Sequence, residues 1–236
     1  CSTELSLITV MYNNITKQFD LKADAQVKPN KLTVTTLFKD DYELFPLFYD
    51  YYKKQGVDDF QMYYNGIPTP EIIDLFNKQD VTLITWSFKY WNTEVKYKHH
   101  AQLGQIHDAL HRTNSEYIIF CDLDEYMHIP NYTLLNFINN NPNIDVFGFN
   151  NRWSRTLDKK IPKVFPDKFE TSDRIKYGSR SKNIYKSERL NVIGTIGIHT
   201  GGNGNKLLNL DLFHFYNWCN KKRNVDLKYY TIQLYI

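Results

Sequence analysis

The residues of this chain best suited to chemistry are concentrated in residues 116–127, where the apolar run Tyr117-Ile118-Ile119-Phe120-Cys121 gives way at once to Asp122-Leu123-Asp124-Glu125. A buried strand ending in three carboxylates delivers negative charge to one edge of a sheet, and in open α/β sheets ligands gather outside the carboxyl ends of the strands. Crowded carboxylates raise one another's pKa unless a cation neutralises them. Oxygen donors suit Mn²⁺ or Mg²⁺, and a site with few protein ligands leaves coordination positions open to phosphate oxygens. The pair Asp122 and Asp124 therefore predicts a divalent metal and a diphosphate ligand. The same residues also read as a solvated turn capped by Asp122, and the apolar strand in front of them weighs against that.

The elements that must position these carboxylates alternate regularly. Strand patterns at 32–38, 60–64, 81–86, 117–121 and 146–150 are separated by helical patterns at 42–55, 70–78, 96–111 and 132–139, the first helix ending at Gly56. Such alternation predicts an α/β fold with a mostly parallel, Rossmann-like sheet and helices on both faces. Residues 5–12 read as one more strand and the polar stretch to residue 30 as a linker, so 1–30 form an extension to a single domain over 31–236. Within that domain, about 31–130 would bind nucleotide. After residue 150 the alternation fails and Gly, Ser, Arg and Asn become frequent, so the half from 131 is expected to supply loops and the acceptor surface.

Composition sets outer bounds. A chain of 236 residues that is 42% hydrophobic can bury one sizeable core. Its net charge of +3 is spread among interspersed acids and bases, which gives no footprint for nucleic acid. No apolar run approaches the roughly 20 residues of a membrane span, and the start lacks the order of a signal peptide. Cys1, Cys121 and Cys219 make no paired framework, so a cytoplasmic rather than a secreted setting is expected. Asn14-Ile15-Thr16 and Asn131-Tyr132-Thr133 fit the N-glycosylation pattern, which is too short to settle the compartment. Oligomeric state is not legible.

Phe120-Cys121-Asp122-Leu123-Asp124-Glu125-Tyr126 resembles the "DlDEF" signature of the glycosyltransferase family 92 group and related family-2-like enzymes. Lys39-Asp40-Asp41, followed by Tyr51 and Gly56-Val57, resembles that group's "KNE" motif, helix and "GV" at the same spacing. Gln102 to Leu110 is similar to the helix that precedes the metal strand. Lys182-Asn183-Ile184-Tyr185 with Ile198-His199 resembles a late "K-s-i-v…iH" segment, and His214-Phe215-Tyr216 the final "HY". The resemblance spans 31–218. Asp40 and Phe48 stand where Asn and Trp are usual, Tyr64-Asn65-Gly66 replaces an acidic "YDN", and Leu47 replaces a glutamate, departures that bear on donor choice.

The resemblance implies a GT-A fold and transfer of a sugar from a nucleoside diphosphate sugar, a UDP-sugar first, to a hydroxyl of a glycan or glycoprotein, with inversion. It implies that Asp124 ligates Mn²⁺ or Mg²⁺ while Asp122 meets the donor ribose or a metal-bound water. His214 is the candidate to complete the metal shell and His199 the second, although a histidine among aromatics is commonly a core residue. Thr36, Phe38, Lys39 and Asp41, at the carboxyl end of the first strand, would line the nucleotide pocket with Asn65, Gln102, Asp122 and Leu123. Helix-dipole stabilisation of Asp41 and an Asn-Gly turn at Asn65 are the structural alternatives. Glu170, Asp173 and Asp211 are the candidate general bases. Arg152, Arg155, Arg180 and Lys182 could offset phosphate charge or orient an acceptor, and Gly201 to Asn205 could close over the donor.

Two rival classes share these features. Paired aspartates at a strand end also mark metal-dependent phosphohydrolases, although Tyr126 occupies the Thr position of their D-x-D-x-T motif. A non-catalytic binding module on the same scaffold is the other, since fold does not dictate activity.

Overall fold

The structure, a computed structural model, describes residues 6–12, 15–21, 31–90, 100–158, 160–187, 198–199, 201, 204–218 and 230–235. Leu5, the 22–30 linker, residues 96–99 of the expected third helix, Asn14, Cys1 and Cys219 lie outside them. Strands β1 (Ser6–Tyr12) and β2 (Ile15–Leu21) pair antiparallel as a separate ribbon. The sequence reading has only the first of these, because Ile15-Thr16-Lys17-Gln18-Phe19 carries too little apolar residue to signal a strand without its partner.

The main sheet begins with β3 (Leu32–Phe38), which a 3-10 turn (Tyr42–Leu44) joins to α1 (Phe45–Lys54). There follow β4 (Asp59–Tyr64), α2 (Pro70–Leu75), β5 (Val81–Thr85), α3 (His100–Arg112) and β6 (Tyr117–Phe120). Strands β5, β4, β3 and β6 lie side by side in that order, all parallel. This is the arrangement that the alternating pattern predicts, and it brings the carboxyl ends of β3, β4 and β6 to one edge.

The later half is richer in strands than expected. It contains β7 (Glu125–His128), α4 (Leu134–Asn139), β8 (Val146–Arg155), β9 (Phe169–Ser172), β10 (Lys182–Lys186), β11 (Lys206–Phe215) and β12 (Ile232–Tyr235). Antiparallel β10 joins β6 to β8, while β11 runs parallel to β8 and antiparallel to β7. Helix α4 and the start of β8 lie where the sequence places them, whereas the reading of residues after 150 as loop is corrected, and β8 gives the reason. All but its last residue are buried, yet Asn150, Asn151, Arg152 and Ser154 are among them, so a strand covered on both faces carries no hydrophobic alternation.

Side chains alternate across each strand, so neighbours in sequence serve opposite faces. Ile118 and Phe120 pack with Tyr63 and with Ile106 and Ala109 of α3. Ile119 and Cys121 pack on the other face with Val34, Met62 and the buried sides of α1, α2 and α4. Helices therefore cover both faces.

Helix α1 also holds the segment after β6. The Tyr52 hydroxyl donates to the Glu125 carbonyl at 3.0 Å and accepts the Met127 N–H at 3.2 Å, and the Tyr51 hydroxyl donates to the Met127 carbonyl at 2.8 Å. The helix stops at Gly56, whose φ of +94° suits glycine and whose added Cβ would sit 2.5 Å from Leu135 Cβ. Among the described residues no helix is long and apolar enough to cross a membrane.

Candidate active site

The carboxyl edge of β3, β4 and β6 opens into a cleft of about 450 Å³, within the range of small-ligand pockets. Phe38, Lys39 and Asp41 wall it after β3, Asn65 after β4, Gln102 from the first turn of α3, and Asp122, Leu123 and Asp124 after β6. Of the candidate nucleotide-sugar residues, Thr36 alone lies off this wall. It is buried behind it, in a small adjoining cavity shared with Gln102, Gln105, Asp122 and Lys182, and its Oγ1 has no hydrogen-bond partner. The Asn65 amide donates to the carbonyls of Trp86 at 2.8 Å and Phe88 at 2.9 Å, so it holds the loop after β5 as well as facing the cleft. Tyr90, whose hydroxyl donates to Gln102 Oε1 at 3.2 Å, is a lining residue the sequence reading omits, because no motif distinguishes it among 18 tyrosines.

The carboxylates diverge in environment. Asp122 is partly exposed in the cleft, whereas Asp124 and Glu125 are buried. Glu125 Oε2 accepts the Asp122 N–H at 2.8 Å and lies 3.3 Å from Lys182 Nζ, which is also 3.3 Å from Asp122 Oδ1. Burial pushes the Glu125 carboxyl above the usual range against the pull of Lys182. Burial alone would depress the Lys182 ammonium, but Asp122 and Glu125 outweigh it and hold the group above its ordinary value. The fold itself thus supplies one positive charge to these carboxylates.

His214 sits opposite Glu125 across β7 and β11, and opposite Trp153 on β8, whose ring lies 4.6 Å from the imidazole. Its Nδ1 is 2.8 Å from Asn151 Oδ1 and 3.4 Å from Glu125 Oε1, while Nε2 is 3.0 Å from Asp124 Oδ2. With the ring proton on Nδ1, toward Asn151 and Glu125, the Nε2 lone pair faces the Asp124 carboxylate; with the proton on Nε2, the ring donates to Asp124. In the first of these tautomers two acceptors meet at 3.0 Å, an arrangement that a divalent ion would satisfy. The 3.0 Å separation is that of a hydrogen bond, and it also equals the spacing of neighbouring donors on an octahedral ion with bonds of about 2.1 Å, so the pair could hold Mn²⁺ or Mg²⁺. Among the described residues no group of three His, Cys, Asp or Glu side chains is gathered as a metal shell. An ion here would take two protein donors and leave its other positions to phosphate oxygens and water, with Asp122 turned to Lys182 rather than toward it.

The candidate bases are not brought to the cleft wall. Asp211 lies three residues before His214 on β11 and so faces the opposite side of the sheet. There it pairs with Arg152 at 3.3 Å and Arg174 at 2.6 Å, and these guanidiniums hold its carboxyl below the usual range despite burial. A carboxylate with lowered basicity and both flanks occupied is unsuited to accept a proton, so that assignment is corrected. Glu170 is paired with Arg155 directly opposite on β8, and Asp173 is an exposed residue beyond β9.

Of the remaining candidates, Arg180 lies 5.2 Å over the Trp153 ring. His199 Nδ1 is 3.2 Å from the Ser181 carbonyl, and burial and Lys182 lower its pKa. In the glycine loop, Gly204 packs on Asp145, which accepts the Asn205 N–H at 2.8 Å, so its described end is tied to the β8 entrance.

A search of curated proteins returns no match. Among solved structures, HddC from Yersinia pseudotuberculosis aligns with 77% of this chain and 92% of its own at 12% identity and a TM-score of 0.42. S. aureus TarS 1-349 aligns with 79% of this chain and 60% of its own at 11% identity and a TM-score of 0.47. The profile of glycosyltransferase family 92 matches residues 32–233, from the first residue of β3 into β12. With that match running through every strand that frames the cleft, the chain belongs to glycosyltransferase family 92.

Proposed function

We propose that this glycosyltransferase moves a sugar from a UDP-sugar to a hydroxyl of a glycan or glycoprotein acceptor, with Mn²⁺ or Mg²⁺ held by Asp124 and His214. One observation carries the reading: the His214 nitrogen Nε2 and the buried Asp124 carboxylate face each other, 3.0 Å apart, and Asp124 lines a nucleotide-sized cleft. Phe38 and Tyr90 offer ring surface to a base, and Asp41 and Asn65 offer polar atoms to a base or ribose. Lys39 offers positive charge to phosphate, and Asp122 accepts from a ribose hydroxyl or a bound water.

Breaking the anomeric C–O bond leaves negative charge on the departing diphosphate. Groups that are positive before the reaction stabilise that charge more in the transition state than in the ground state. A bound divalent ion would supply Lewis-acid stabilisation of this leaving group. The residues' own contribution is to fix its two donors: Asn151 orients the imidazole, and β11 ties Asp124 in place through the Phe215 N–H, which donates to the Asp124 carbonyl at 2.9 Å. The inverting course implied by the family resemblance needs a base at the acceptor hydroxyl, a role that Asp211 and Glu170 do not fill as arranged.

A panel of UDP-, GDP- and CMP-sugars incubated with the purified protein, with and without EDTA, tests this reading through release of free nucleotide. UDP-sugar turnover is expected, falling at least about a hundredfold in EDTA or in Asp124→Ala. Turnover that is indifferent to both would refute the metal assignment.

A further inference from the structure

Lys182 is the part of the site that the proposed reaction leaves unused. Its side chain is 3% exposed, and its Nζ is equidistant, at 3.3 Å, from Asp122 Oδ1 and Glu125 Oε2. A buried ammonium persists only where fixed counter-charges offset its dehydration. Strand pairing sets the position: Asn183 of β10 lies opposite Phe120 of β6, so Lys182 comes level with Cys121, beside the turn that carries the carboxylates. Glu125 is fixed in turn, with Oε2 on the Asp122 N–H and Oε1 facing His214. The lysine therefore stands behind the cleft wall, in the small cavity it shares with Thr36 and Asp122, one carboxylate away from the Asp124 and His214 pair.

We infer that Lys182 is a built-in counter-cation of the donor site, a positioning residue that neutralises and orients Asp122 and Glu125 when no metal is bound and thereby sets how tightly a divalent ion binds at Asp124 and His214. The inference rests on the metal reading above. A fixed positive charge beside the site opposes a dication, and the Glu125 charge behind His214 favours one, so the two residues act on metal affinity with opposite sign. A role confined to holding the fold has no such sign: losing either partner would loosen the site.

Mn²⁺ titration of the nucleotide-free protein, followed by electron paramagnetic resonance of the free ion, reads this directly alongside the melting temperature. Lys182→Met is expected to bind Mn²⁺ about tenfold more tightly than the parent, and Glu125→Gln about tenfold more weakly. The double substitution, which restores the parental net charge, should return close to the parental affinity, and Lys182→Arg should retain it. Should Lys182→Met fail to fold, Glu125→Gln and the double variant carry the test: recovery of affinity in the double supports the inference, and a further loss overturns it. Weaker or unchanged Mn²⁺ binding in a folded Lys182→Met also overturns it. A parent protein that takes up no Mn²⁺, with or without UDP, defeats the metal reading itself and this inference with it, a result distinct from the others.

Discussion

A histidine that accepts a metal must present its lone pair, and here the presentation depends on a residue far away in sequence. Asn151 Oδ1 lies 2.8 Å from His214 Nδ1, from 63 positions earlier in the chain and on the same face of β8 as Trp153. Replacing Asn151 with Leu removes that acceptor, and the prediction is a loss of Mn²⁺ affinity of about 10- to 100-fold. Calorimetric titration checks it, and an unchanged affinity would show that Glu125 alone orients the ring. At this scale the sequence is legible only where function is packed into adjacent residues. Asp122-Leu123-Asp124 announces itself as three carboxylates after an apolar strand, and His214 through its aromatic frame. Asn151 and the buried placement of Lys182 do not, because their meaning comes from the register of β8 against β11 and of β10 against β6. Asp211 is the converse: a late carboxylate in a promising segment, placed on the wrong face by the alternation of a single strand.

The elements that carry the site are clamped by helix α1. The Tyr52 hydroxyl bridges two backbone groups of β7 in a fully buried setting, and Tyr52→Phe strands them. Urea denaturation should show a loss of about 1–3 kcal/mol for the backbone groups left without partners. A loss below the error of the method would mean that β7 is held by β11 alone. Gly56→Ala forces a Cβ into Leu135 at a positive φ and should cost more than about 1 kcal/mol in the same assay. A neutral result would mean that α4 shifts to accommodate the methyl. The strands and helices of residues 31–121 were legible because each is amphipathic or wholly apolar with a period of its own. Strands β7 and β9 to β12 were not, since they are short or carry buried polar residues, and pairing rather than composition makes them strands.

For the molecule as a whole, the Asp211 cluster joins β11, β8 and the segment after β9 on the face away from the site. Its folded-state pKa is lowered, so its stabilisation is fully present above the unfolded value near 3.9 and is lost as pH falls through the folded value. Asp211→Asn should therefore be less stable than the parent at pH 7, with the gap narrowing below about pH 4. Urea titrations at pH 7 and pH 3 compare the two, and an equal gap at both would show that ionisation of Asp211 contributes nothing. The α/β class and the cleft at the strand ends follow from alternation and topology, both visible in the chain. Strand β11 and the second half of β8 were hidden by polar residues that fold into their core.

The cation proposed at Asp124 and His214 would engage a nucleoside diphosphate. Thermal shift with UDP, GDP and CMP, each with and without Mn²⁺, tests this most directly. A rise in melting temperature is expected with UDP, one that needs Mn²⁺ and disappears in Asp124→Ala. An equal rise with the metal omitted, or one that survives in Asp124→Ala, contradicts it.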